Sequence, residues 1–497
     1  MKNIKLFLSK KIFFQVIILF LIKLELIECI IVIPFEQLSE DNYRKNNQTS
    51  HSYIIQKYFL KDLYTIFEVG TPSQKVPLFL RTNQYNFEIT SSIFEKEISY
   101  FYKYNLTNFF KLYSSFNEDQ SKTFETEGCT SEILNFLDHK KKCESNDAFL
   151  FYQNINLSQK NKFENINFTL IKNKRDNITG EFGLGVIGVS HTSDKNFLKI
   201  LKKMNIINNY IWYISLDDWN STNGKLIIGS YPHEINPSMY NENDLIYKNI
   251  YIEDNTNKVW KLNFDKIYIN STNTNNSIYI NLNNKAAELV FDSDIIIGTN
   301  EFEQKLKDIF LDDYIQEKKC FIEKYTQLYY QRFEANFYYC DIELKNYLYG
   351  LLPSINFYCN DYNYTFEISK NELFKEEDKY IYLLILFPTT KNKNNFVIGN
   401  SLTLKYPFVF NSDSGTIGLY TGYTKTNNNN NKEEDNNNNH YILIKIIIII
   451  ILSVCLIIIG IIIGKKIYGI KRKQRANELL DDYEYNSVEN NKEKGIN

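Results

Sequence analysis

Alanine, glycine, proline and arginine are all scarce in this chain of 497 residues, and neither sign of charge predominates. Lys plus Arg total 57 and Asp plus Glu total 59, a net charge of -2. Without a basic surplus there is little to neutralise a phosphate backbone, so nucleic acid is not expected as a partner. Gly at 18 and Pro at 8 exclude a collagen-like or Pro/Gly-rich low-complexity chain. With five His and no CxxC pair, no metal site is expected. The six arginines are Arg44, Arg81, Arg175, Arg332, Arg472 and Arg475. An Arg at a special place therefore carries more information than one of the many Lys or Asn.

What the chain does hold is apolar and aromatic material. Hydrophobic residues are 43% and aromatics 15%, enough for a sizeable core and incompatible with wholesale disorder. The length suggests two to four domains. The excess of Asn and Ile reads as a compositional bias, so runs of either carry little meaning by themselves.

Both ends read as targeting segments. Lys2, Lys5, Lys10 and Lys11 precede an apolar run at 12–22, the order of a secretory signal peptide, assigned to 1–29. Residues 446–464 carry no charge and are long enough to cross a bilayer, so a membrane-spanning helix is expected at 441–464. Lys465, Lys466, Lys471, Arg472, Lys473 and Arg475 follow it and place the tail, 465–497, in the cytosol. A polar, Asn-rich stalk, 424–440, precedes the span. The expectation is a type I membrane protein of the secretory pathway, in an endolysosomal or cell-surface membrane, with a lumenal or extracellular body.

That body carries nine Asn-x-Ser/Thr sequons, at Asn47, Asn105, Asn156, Asn167, Asn177, Asn220, Asn270, Asn275 and Asn363, all candidates for glycosylation. Five of the seven cysteines lie between the two ends: Cys129, Cys143, Cys320, Cys340 and Cys359. In an oxidising compartment they allow two disulfides and one free thiol. Cys129 with Cys143 is the natural local pair; spacing does not choose among the other three.

From about 60 to 423 the chain alternates short aromatic and β-branched runs with Asn, Asp and Gly turns, as at 63–69, 225–228, 265–269, 277–280 and 380–387. This argues for an all-β body, with helices at 195–204 and 301–310. A scheme repeats: an apolar strand, a short polar turn, then an apolar-apolar-Gly segment. It occurs at 76–80, 81–84 and 186–188, and again at 287–291, 292–294 and 397–399. Two lobes, 61–235 and 236–423, would face each other across a cleft, with 30–60 as an N-terminal or propeptide-like segment.

The residues that carry a family resemblance now fall into order. EVGTPSQ at 68–74 resembles a landmark of the pepsin-like aspartic proteases. The segment 76–91, VPLFLRTNQYNFEITS, is similar to the family's first catalytic Asp-Thr-Gly segment, and 286–298, AAELVFDSDIIIG, to the second. GVIGVS at 185–190, GKLIIG at the end of 211–229, Trp260 in VWKLNFDKIYI, LPSINF at 352–357 and the stretch 396–418 resemble further landmarks in the same sequence order. The resemblance implies a bilobal β fold, no cofactor, and a long cleft for a peptide or protein ligand. It also implies two Asp, one per lobe, whose carboxyls share one proton because both cannot ionise so close together.

The pattern departs where the chemistry sits. The first motif reads Arg81-Thr82-Asn83, and an Arg, protonated at any working pH, cannot serve as a base. The second reads Asp292-Ser293-Asp294, which keeps Asp292 but replaces Gly with Asp294. Arg81 is expected opposite Asp292, joined by a charge-assisted hydrogen bond in place of the shared proton. Thr82 and Ser293 remain available to brace the two loops, and Tyr152 is the candidate for the family's flap tyrosine. Three functions follow: a pseudo-protease, an active endopeptidase in which Asp294 supplies the missing acid, or a receptor or adhesion module binding peptides uncut. Asp413-Ser414-Gly415 resembles a serine-protease nucleophile segment but lacks a fitting His, and is read as a structural turn.

Overall fold

A computed structural model describes residues 30–38, 51–59, 61, 63–82, 86–91, 115–135, 138–153, 160–173, 180–184, 196–216, 223–249, 259–270, 277–327, 333–389, 395–422, 465–468, 470–472 and 475. The stretches expected to be signal peptide (1–29), stalk (424–440) and membrane span (441–464), and the segment 185–190, lie outside the described residues. So do Asn47, Asn83, Asn105, Asn156, Asn177, Asn220 and Asn275. Among the described residues no helix is long and apolar enough to cross a membrane.

The alternating runs become strands. In the first half these are β1 (Ile31–Gln37), β2 (Leu63–Val69), β3 (Gln74–Arg81), β4 (Phe87–Thr90), β5 (Glu125–Asn135), β6 (Asp138–Gln153), β7 (Lys160–Asn173), β8 (Gly180–Gly183), β9 (Ile211–Leu216), β10 (Asn223–Ile228) and β11 (Leu245–Asn249). The second half gives β12 (Lys261–Asn270), β13 (Ser277–Leu289), β14 (Ile296–Ile297), β15 (Cys320–Gln327), β16 (Phe333–Asp341), β17 (Ser354–Cys359), β18 (Tyr364–Ser369), β19 (Phe374–Glu377), β20 (Tyr380–Leu383), β21 (Ile385–Pro388), β22 (Phe396–Ile398), β23 (Phe408–Asn411) and β24 (Thr416–Tyr420). Helices occur at Phe197–Lys203, inside the expected 195–204, and at Asn300–Leu306, overlapping the expected 301–310 from one residue earlier.

The strands form two large mixed sheets and a two-lobed, mainly β body. The first sheet runs β11-β24-β23-β9-β10-β1-β2-β3-β8-β4-β7-β6-β5, and the second runs β18-β17-β12-β13-β22-β14-β21-β16-β20-β19. The last two strands of the body thus return to the first sheet, so that sheet ties the lobes together. In each lobe the polar loop of interest follows a strand that pairs in parallel with a later one. β3 pairs with β8, bringing Arg81 beside Gly183, and β13 pairs with β22, bringing Leu289 beside Ile398.

Residues 30–38 and 51–59 of the N-terminal segment both pack into the body. β1 lies inside the first sheet, paired along Ile31–Glu36 with β10 and at its end with β2. Helix His51–Phe59 then packs on the second sheet, with Ile55 and Tyr58 against Ile295, Tyr325, Phe337, Tyr339 and Tyr382. His51 stacks on Tyr339 at 4.0 Å and its Nδ1 lies 2.6 Å from the Tyr382 hydroxyl. Apolar positions with the right alternation put β1 in the sheet, because burying Ile31, Ile33 and Phe35 outweighs the cost of Pro34 in a strand.

Beneath the junction lies an aromatic cluster. Trp212 stacks on Phe410 at 4.2 Å, Trp260 meets both edge-on at 6.1 and 5.0 Å, and Phe291 packs edge-on at 6.0 Å from Trp212. The Trp260 indole N–H donates to Leu184 O at 2.7 Å, satisfying a buried donor. Each such ring stabilises the fold by about 1.5–3 kcal/mol through burial, and this cluster is the floor under Asp292.

Disulfides join Cys129 to Cys143 and Cys320 to Cys340, and Cys359 is a buried free thiol. Burial pushes the Cys359 thiol up to about 12, so it is held as the unreactive neutral form.

Candidate functional site

Arg81 ends β3, and Asp292 sits in the loop after β13. Their side chains meet, with Arg81 Nη1 3.6 Å from Asp292 Oδ2. The contact is an ion pair rather than the charge-assisted hydrogen bond expected from the sequence, for which the distance would fall near 2.7–2.9 Å. The geometry explains the difference. The guanidinium also lies over the Phe79 ring, 5.3 Å from its centroid, and is only 7% exposed. Asp292 is 32% exposed and shares its charge with solvent.

The two loops are held differently. The Thr82 hydroxyl donates to Leu289 O at 2.9 Å, a buried hydrogen bond from one lobe to the other. Ser293 does not reciprocate: its Oγ accepts from Ile295 N at 2.9 Å, within its own loop. Thr82 thus braces across the lobes, and Ser293 braces a turn of its own loop. Backbone supports the second loop instead, with Asn400 N donating to Ser293 O at 2.7 Å. A Cβ on Gly399 would lie 1.9 Å from that same carbonyl oxygen, so only glycine lets the two segments approach. Thr403 Oγ1 adds a bond to Val290 O at 3.1 Å.

Asp294 turns to the N-terminal segment. Its Oδ1 accepts from Gln37 Nε2 at 3.3 Å and from Asn400 Nδ2 at 3.2 Å, and its backbone N–H donates to Tyr58 O at 3.0 Å. The same two amides reach Lys61 O, at 3.4 and 3.2 Å. Desolvation pushes the Asp294 carboxyl above the usual carboxylate range, opposed by the nearby Lys61 and by the Asn400 hydrogen bond. Gln37, Lys61 and Asn400 escaped sequence reasoning, because single polar residues in three distant segments leave no motif.

The flap candidate Tyr152 stands near the end of β6. It lies within the first sheet, paired with Val32 of β1 and Lys160 of β7, and packs among Ile30, Val32 and Tyr213. The Lys160 ammonium stands 5.0 Å from its ring centroid. The alternation of β6 carries Tyr152 to this outer face.

Asp413 belongs to the β23–β24 turn, bound by Lys202 Nζ at 3.0 Å and Tyr210 N at 2.9 Å, and Ser414 Oγ lies 2.6 Å from Thr416 Oγ1. The segment is a structural turn. Of the sequon asparagines, Asn167 and Asn363 have described side chains, and both are exposed. Among the described residues no cluster of His, Cys, Asp and Glu could hold a metal ion.

No family model matches this chain, and no curated protein does. Among solved structures it is similar to conglutin gamma, a basic 7S globulin from lupine seeds. The identity is 12% over 80% of this chain and 96% of that one, with a TM-score of 0.52. At that identity the likeness speaks to the fold alone: a two-lobed, two-sheet β architecture spanning nearly the whole of the globulin.

Proposed function

We propose that this chain is a membrane-anchored, pepsin-like homologue without peptidase chemistry, which uses the cleft between its lobes to hold a peptide or protein ligand. The observation that carries the reading is the Arg81–Asp292 pair at 3.6 Å. Peptide hydrolysis by this route needs two carboxyls sharing a proton, one to take a proton from water and the other to polarise the carbonyl. A guanidinium beside the remaining carboxylate supplies neither acid nor base. Asp294 is a poor substitute, since its carboxylate is engaged by Gln37 and Asn400. Two disulfides support a secretory or extracellular body, and the apolar run at 441–464 supports the anchor.

The test is proteolysis by the purified full-length chain. Denatured protein substrate incubated across about pH 3–6, where a carboxyl dyad can hold one proton, should remain uncut, with and without pepstatin. Pepstatin-sensitive cleavage by a folded sample would sink the proposal. Peptides retained without product formation would support it.

A further inference from the structure

The solvent face of β12, β13, β17 and β18 is an aromatic platform at one end of the second sheet. Alternation sends Ile267, Ile280, Phe357 and Phe366 into the core. It leaves Tyr279, 53% exposed, directly opposite Tyr268. Tyr358 stands opposite Lys266 on the next strand. The Lys266 ammonium bridges the platform, 5.9 Å from the Tyr279 ring centroid and 5.5 Å from that of Tyr358.

At the edge of this platform the β17–β18 turn presents Asn363. It is exposed, adopts a left-handed φ of 47°, and its N–H donates to Asn360 O at 3.0 Å. The Tyr358 hydroxyl donates to Asn363 Oδ1 at 3.1 Å, so platform and turn are in contact. Thr365, the hydroxyl residue of the Asn363 sequon, accepts from the Tyr268 hydroxyl at 3.3 Å. Asn167, the other sequon asparagine whose side chain is described, is also exposed but lies within the 14-residue strand β7, and its Thr169 is buried. Oligosaccharide attachment favours a surface loop, which among the described sequons favours Asn363 over Asn167.

We propose that Asn363 carries an N-linked oligosaccharide that lies along the Tyr358–Tyr268–Tyr279 face. The attachment takes its sugar from a polyprenyl-diphosphate oligosaccharide. A bond forms between Asn363 Nδ2 and the anomeric carbon, the anomeric C–O bond breaks, the diphosphate leaves with the electron pair, and Nδ2 gives up a proton. The first sugar then stands beside Tyr358. Sugar C–H faces carry slight positive charge and suit the negative faces of tyrosine rings, while Lys266 can meet the hydroxyls. The inference rests on the lumenal body proposed above.

The test uses the full chain expressed in a glycosylating eukaryotic host. Glycopeptide mass spectrometry should find Asn363 occupied, with occupancy lost in Thr365→Ala and kept in Thr365→Ser. Native-state release of that oligosaccharide by a peptide N-glycosidase should quicken about two- to tenfold in Tyr279→Ser, the worth of one lost aromatic contact. Tyr358→Ser should act in the same direction. An unmodified Asn363 beside an occupied Asn167 overturns the proposal, as does an unchanged release rate in both tyrosine variants. Binding of free polysaccharide to the platform of Asn363→Gln would assign the face to an outside ligand and also overturn it. If no sequon at all is occupied, the proposal falls together with the lumenal reading.

Discussion

The Arg81–Thr82 loop and the Asp292–Asp294 loop face one another but are built on opposite plans. The first carries no carboxylate, yet its Thr82 hydroxyl reaches across the junction to Leu289 O. The second carries two carboxylates, yet its Ser293 hydroxyl turns in on its own backbone, and Asp294 is drawn away by Gln37 and Asn400. Holding the lobes together and presenting acid groups are thus separate tasks here, done by different side chains. A chain can change its chemistry at such a junction and keep the junction.

The sharpest way to break this contrast is through the backbone of the second loop. Gly399→Ala forces a Cβ to within 1.9 Å of Ser293 O. Backbone cannot yield as a flexible side chain can, and a loss of about 3 kcal/mol or more is expected, read as a fall in the denaturation midpoint. A midpoint within error of the parent would show that the loop is not held at this point.

Next comes the ion pair. Asp292→Ala removes a carboxylate from beside the buried Arg81 charge, whereas Arg81→Met leaves an aspartate that solvent reaches. The first should cost about 1–3 kcal/mol, less than a fully buried pair because Asp292 is 32% exposed, and it should exceed the second. A double-mutant cycle gives the coupling; equal single costs with no coupling would remove the pair from the argument.

Smaller effects separate the two hydroxyls. Thr82→Val strands a buried carbonyl across the lobes and Ser293→Ala strands the Ile295 N–H within one loop, so each should cost about 1 kcal/mol by chemical denaturation, and only the first should quicken amide exchange in both lobes. Exchange quickened in both lobes by Ser293→Ala would make Ser293 the real brace.

The smallest effect is in pH. The Asp294 carboxyl is raised in the folded chain, so the folded state binds more protons than the unfolded state just above the ordinary carboxylate value of 3.8. Its contribution to stability is fully present below that value and is lost as pH rises through the raised one. Asp294→Asn keeps an acceptor for Gln37 and Asn400 and abolishes this titration. The gap between variant and parent should therefore move in the variant's favour between acid and neutral pH. A gap that stays constant with pH would place the carboxyl in water.

Much of this was legible in the sequence. Strands at 63–69 and 277–280, the two helices and the Cys129–Cys143 bridge follow from local alternation, periodicity and spacing. Arg81 could be set opposite Asp292 because each lies in a motif whose flanks set the register. The rest depended on partners far apart in the chain. Cys320 bonds Cys340 because β15 and β16 place them directly opposite, and that leaves Cys359 inside the core. Nothing local in Ser293 reports which way its hydroxyl turns, and nothing local in Tyr152 reports that β6 pairs it with Val32 of β1. The 30–60 segment hid its strand, since Pro34 interrupts it and the sheet partner β10 lies nearly 200 residues away.

Two of the three tryptophans, Trp212 and Trp260, lie in the aromatic floor that also holds Phe291, the residue before Asp292. Rings this close couple their excited states, so the junction carries its own optical signature. Intrinsic emission and near-ultraviolet dichroism should register any guest that shifts Phe291, with no label attached.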